Sequence, residues 1–166
     1  MNHQLIAVKS LTQNGFYLKL LTRVISTLTS EFKPDKKFQG GVLVVNIPSP
    51  TGAFHTAIVL GDPGENIVDY AFFANEKARR LQKRRQTTEG KEEFASSQSA
   101  NPDREQYGGC ILGKTDDRTE VFFSFSGAPA LVDEAVMYFM AEKKGLAVPK
   151  DYDNPLVQRA RELFRP

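Results

Sequence analysis

Gly108-Gly109-Cys110-Ile111-Leu112-Gly113-Lys114-Thr115-Asp116-Asp117-Arg118-Thr119-Glu120-Val121-Phe122-Phe123-Ser124-Phe125-Ser126-Gly127 is the stretch whose reading decides the fold. Residues 108–115 match the spacing of a phosphate-binding loop letter for letter. Such a loop needs a strand before it and a helix beginning at its Lys-Thr, so that the helix N-terminus faces the phosphates. Here the polar run Asn101 to Gln106 comes first, Cys110-Ile111-Leu112 has the composition of a strand core, and Asp116-Asp117-Arg118 leads into the Val121-Phe122-Phe123 run. The stretch therefore predicts a β-hairpin, Tyr107 to Lys114 and Thr119 to Ser126, and nucleotide binding is not expected.

Gly127-Ala128-Pro129 next opens a helix over about 129–144, with proline in the first turn, Asp133 and Glu134 close behind and Gly145 as its stop. Its apolar positions (Leu131, Val132, Ala135, Val136, Phe139, Met140) cover a broad arc, which predicts packing against a sheet. Upstream, Ile67, Ala71, Ala74, Ala78 and Leu81 form a narrow stripe of mostly small side chains on a helix over about 66–85. Between these two units, residues 86–106 are polar, with Phe94 the only large apolar side chain, and predict a long mobile loop. Gly41 to Pro48 and Phe54 to Gly61 read as a first hairpin through Ser49-Pro50-Thr51-Gly52, and their continuous apolar middles predict a sheet covered on both faces. Tyr17, Leu21, Val24, Leu28 and Phe32 mark a helix over 14–32, and a short helix is expected over about 155–164. The organisation expected is an N-terminal segment 1–13, one α/β domain over 14–145, and a tail 146–166.

With 166 residues, 40% hydrophobic and 25% charged, the chain has the size and composition of one globular domain. A net charge of +2 is too balanced to announce a nucleic-acid or membrane-surface protein. The run Lys77 to Arg85 holds cations and no acid, but Glu89, Glu92 and Glu93 follow and no aromatic side chain interleaves it, so nucleic acid is not an expected partner. No apolar run reaches the length of a membrane span, and no basic-then-apolar leader precedes the first helix, so the expected location is cytoplasmic. The single Cys110 reads as a small buried hydrophobe rather than a nucleophile. His3 and His55, the only histidines, have no zinc-like spacing, and no metal site is expected. Asp133 and Glu134 sit where the helix dipole favours carboxylates whether or not they face a ligand.

Taken in order, Ala74-Asn75-Glu76-Lys77-Ala78, Gly108-Gly109-Cys110-Ile111, Ser126-Gly127 and Asp133-Glu134-Ala135 resemble the motifs of the haem-degrading domain family. That family is related to the glycolate-operon accessory protein and to a secreted bacterial haem-binding protein. The resemblance spans about residues 14–145. It implies an α+β, three-layer profilin-like domain, with a central, mostly antiparallel sheet flanked by the first and last helices on one side and the middle helix on the other.

Functionally it implies a small-molecule or haem-type binding module, non-catalytic, with ligand-binding residues Lys77, Gly108, Gly109, Ser126, Asp133 and Glu134. Haem is a candidate cofactor, and His55, Tyr107 and Cys110 are its candidate axial ligands. An enzyme degrading haem or a small-molecule lyase, with Lys77 and Glu134 as acid/base partners, is the first alternative. A protein-interaction module using the basic helix end and the 86–106 loop is the second. Relatives also imply homo-oligomers. The sequence departs from the family pattern at Asn46 to Gly52, at the missing proline of the Gly-Gly motif and at Phe122-Phe123-Ser124-Phe125, all of which reshape the pocket expected there.

Overall fold

Asn14 accepts a hydrogen bond from the Tyr17 amide at 3.1 Å, and behind this cap runs the helix Gly15–Phe32, α2. A computed structural model describes residues 2–50 and 53–164. It places a shorter helix, α1 (His3–Leu11), in front of α2, with Val8 and Leu11 buried. The expected N-terminal segment is thus a helix, whose signal was Leu5, Val8 and Leu11 at intervals of three. The strands follow as β1 (Gly40–Ile47), β2 (Phe54–Gly61), β3 (Cys110–Lys114) and β4 (Glu120–Ser126), with α3 (Ile67–Arg84) between the hairpins. The chain ends in α4 (Ala130–Lys143) and α5 (Leu156–Leu163). Part of the first hairpin's turn, Thr51-Gly52, lies outside the described residues.

All strand pairs are antiparallel, in the order β2-β1-β4-β3, so each hairpin keeps its own pairing and β1 joins β4 through the register Val44 to Ser124. Side chains alternate across such a sheet. Leu43, Val45, Ile111, Phe123 and Phe125 face α2, α4 and α5 in the main core. On the other face, Val42 and Val44 pack with Ala74, and Cys110, Leu112 and Phe122 pack with Ala78 and Leu81. This is the three-layer α+β arrangement expected, with α2 and α4 on one side of the sheet and α3 on the other. The small alanines of α3 let it lie close to the sheet, and Ser124 Oγ donates to Ala74 O at 2.7 Å.

The details depart from expectation in four places. β2 is not covered on both faces: α3 spans β1, β4 and β3, which leaves His55, Ala57 and Val59 exposed on an edge strand. Phe32 and Ile67, expected in helical core stripes, sit at helix ends and are each 39% exposed. The 86–106 segment, expected as a mobile loop, carries two short 3-10 turns, Ser96–Ser99 and Pro102–Arg104, and Ala95 and Ser96 are fully buried. It is held because Arg85 donates to Lys91 O and Glu93 O and pairs with Glu120, while Phe94 O accepts from Leu112 N at 2.7 Å. Finally, Leu146, Val157, Ala160 and Phe164 of the tail share one core with Val8 and Leu11, so both outer segments are part of the domain's packing. Among the described residues, no helix is long and apolar enough to cross a membrane.

Candidate functional site

Lys77 points from α3 past the end of the β3–β4 pair, where a lysine only 2% exposed requires partners. Its Nζ donates to Phe125 O at 2.8 Å and pairs with Asp133 Oδ2 at 3.1 Å, and Asp133 is itself 1% exposed. The second oxygen of Asp133 accepts from the Ala128 amide at 3.1 Å, tying the turn before α4 to its first turn. Burial pushes the Asp133 carboxyl up to about 7; Lys77 and the Ala128 amide oppose that shift, and the nearby Glu134 charge adds to it. Gly109 makes the approach of Lys77 feasible. Its φ is +129°, and a Cβ there would lie 2.7 Å from Lys77 Nζ and 2.9 Å from Phe125 O.

Glu134, the next residue on α4, is 2% exposed and serves a different set of donors. Its carboxylate accepts from the amides of Gly109 (2.9 Å) and Ser97 (3.1 Å), and from the hydroxyls of Ser97 and Tyr152, both at 2.5 Å. Four donors on one buried carboxylate compensate the loss of water. Gly108 lies against the same group: a Cβ on it would meet Glu134 Oε2 at 2.9 Å. Glu134 thus fastens the 86–106 segment and the C-terminal tail to the core helix.

Two adjoining cavities open beside these buried carboxylates. The first, about 390 Å³, has Lys77, Asp133 and Ser126 in its lining, Tyr70, Phe73 and Tyr107 as aromatic walls, and Lys36 and Lys37 at its rim. Neither rim lysine's side chain has a hydrogen bond or ion pair among the described residues. The second, about 370 Å³, lies between Ala100, Pro102, Leu131 and Tyr152, with Gly108, Ser97 and Glu134 behind. Tyr107 and Ala130 line both. Volumes of this size are in the range of small-molecule sites. A larger hollow, about 640 Å³, runs along the outer side of α3 past Phe72, Arg79, Arg80 and Lys83. It lies on the outer side of α3 and includes none of the expected site residues.

The structure therefore brings together Lys77, Gly108, Gly109, Ser126, Asp133 and Glu134 at one end of the sheet. It pairs Lys77 with Asp133, while Glu134 is held by Ser97, Gly109 and Tyr152. Of His55, Tyr107 and Cys110, Tyr107 alone reaches the cavities, which Tyr70 and Tyr152 also line. His55 stands exposed on β2, opposite Asn46, away from them. Cys110 is fully buried on the α3 side, and burial pushes its thiol far up, so it offers neither thiolate nor access. Among the described residues, no three His, Cys, Asp or Glu side chains cluster as a metal site would require.

The basic run is largely neutralised from within: Arg80 pairs with Glu76, Arg84 with Glu93 and Arg85 with Glu120. Lys36, Lys37, Ser97 and Tyr152 were not legible as site residues, because each meets the site only through the tertiary fold. No protein-family model matches the chain, and neither a curated protein nor a solved structure does.

Proposed function

We propose that this protein is a small-molecule binding module, without a catalytic centre, that takes a ligand carrying an anionic group into the cavity beside Lys77. The observation that carries the reading is the charge of that cavity. Lys36, Lys37 and Lys77 line it, and among the described residues Asp133 is the only acid in its lining. An anion entering there gains two rim cations without having to break the Lys77–Asp133 pair. Ala130, the first residue of α4, lines the cavity, while the amides of Val132 and Asp133 already donate to Pro129 O. The haem-degrading family reading rests on the order of the motifs and on their convergence around this cavity. Binding without catalysis is favoured because both buried carboxylates are fully engaged in holding the fold.

The test is a titration of the ¹⁵N-labelled protein with acetate and with inorganic phosphate. Saturable shifts in the amides of Lys36, Lys37, Tyr107, Ser126, Gly127, Ala128 and Ala130 are expected, weakened in a Lys36→Glu/Lys37→Glu variant. Shifts spread evenly over the surface would sink the reading. A haem-type ligand is the second reading, favoured by Tyr107, which lines both cavities, whereas Tyr70 and Tyr152 line one each. Haemin titration should then give a one-to-one Soret shift that Tyr107→Phe abolishes; a shift that survives this change would exclude that ligation. Self-association belongs to the same reading: β2 offers a free edge with no charged residue and no proline, and edge strands of that kind recruit partners. Sedimentation velocity should show a species above 18.6 kDa, which a purely monomeric profile would contradict.

A further inference from the structure

We infer that the two cavities form one two-lobed site, and that its ligand is a carboxylate bearing an apolar, ring-sized tail, with the carboxylate at Lys36 and Lys37 and the tail between Pro102 and Tyr152. This rests on the anion reading above and adds the chemistry of the ligand's other end.

The lobes differ in character. The first presents cations and hydroxyls, as an anionic head requires, whereas the second is walled mainly by Ala100, Pro102, Leu131 and Tyr152, with Gln106 and the solvent-exposed Asp153 also in its lining. The carboxylate of Glu134, at the back of the second lobe, already accepts from Ser97, Gly109 and Tyr152, so it does not call for a cation or a donor from the ligand. A lobe that is apolar and whose buried polar groups are satisfied gains most from an apolar occupant.

Continuity between the lobes is carried by Tyr107 and Ala130, which line both. The Tyr107 ring is 38% exposed and meets Phe73 edge-on, with centroids 5.9 Å apart. Its backbone is fixed, because Arg80 donates to Tyr107 O at 2.5 Å. The ring is thus a partition hinged on a fixed backbone, and a ligand spanning both lobes crosses beneath it. The crossing is lined by the Tyr107 ring and the small side chain of Ala130, and the Tyr152 ring walls the second lobe beyond it.

The test is an affinity series on the full chain, using acetate, benzoate and 3-phenylpropionate, followed by amide shifts. Ala100→Trp is the diagnostic variant: Ala100 is exposed on its turn, so the larger side chain closes the second lobe without disturbing the core. In the wild type, 3-phenylpropionate should bind about tenfold or more tighter than acetate and add shifts at Ser97 to Asn101. In Ala100→Trp the gain should vanish while acetate binds as before. Acetate binding at the lysines with no gain from the tail would overturn this inference and leave the anion reading standing. A gain that survives Ala100→Trp would place the tail elsewhere and overturn it too. No binding of any member would remove the anion reading, and the inference with it.

Discussion

A lysine and an aspartate, both almost fully out of water, are the residues on which the end of this sheet depends. Removing one partner of a buried pair leaves an uncompensated charge, which costs about 3–5 kcal/mol, whereas replacing both by apolar groups is often neutral. Lys77→Met should therefore lower the unfolding free energy by roughly that amount in urea denaturation, and Lys77→Met/Asp133→Leu should recover most of it. An equal loss in the single and the double variant would show that packing, not charge, sets the cost. The same aspartate makes a prediction about pH. Its carboxyl is held up at about 7, against about 4 in an unfolded chain. Between those values the folded chain keeps a proton that the unfolded chain has released, so this contribution is full below pH 4 and is lost as pH rises through 7. The stability difference between wild type and Asp133→Asn should accordingly shrink from pH 4.5 to pH 7.5. A difference that grows over that range would reverse the assignment.

At the scale of elements, the polar 86–106 segment shows what sequence reading can and cannot reach. Its composition correctly excludes a core helix or strand, yet its order comes from partners far along the chain: Glu134 on α4 for Ser97, Glu120 on β4 for Arg85, and Leu112 on β3 for Phe94. No local signal announces such contacts, since short 3-10 turns have no hydrophobic period of their own. The helices α2, α3 and α4 and all four strands were legible because each carries a period of 3.6 or 2, or a turn residue at its end. β2 was misread as doubly covered because Ala57 and Val59 are apolar on its open face, and only the width of the α3 stripe decides which strands are roofed. The carboxylate of Glu134 tests the tie directly. Glu134→Ala leaves the amides of Gly109 and Ser97 and the Tyr152 hydroxyl without their acceptor, so hydrogen exchange should accelerate over residues 95–109 and 149–154, with β1 protected as before. Uniform acceleration over the whole chain would mean that Glu134 supports global stability rather than this one junction.

For the molecule as a whole, the motifs that carry the family resemblance are far apart in sequence and meet at one end of the sheet, where α3, α4 and the turn after β4 converge. That Lys77, Gly109 and Asp133 belong together was legible from motif order; that Lys36, Lys37 and Tyr152 join them was not, because a turn after α2 and a tail after α4 reach the place only by folding. The outcome is a buried, mutually neutralised floor beneath a rim with a surplus of positive charge. On the proposed reading, an anion would sit at this rim without the buried pair having to open. The most direct test is thermal melting with 3-phenylpropionate in the wild type and in Lys36→Glu/Lys37→Glu. A ligand that binds only the native state stabilises it by RT ln(1 + [L]/Kd), so the melting temperature keeps rising with the logarithm of ligand concentration above Kd. The wild type should show this logarithmic rise and the variant none. An equal rise in both proteins, or none in the wild type, would contradict an anion site at this rim.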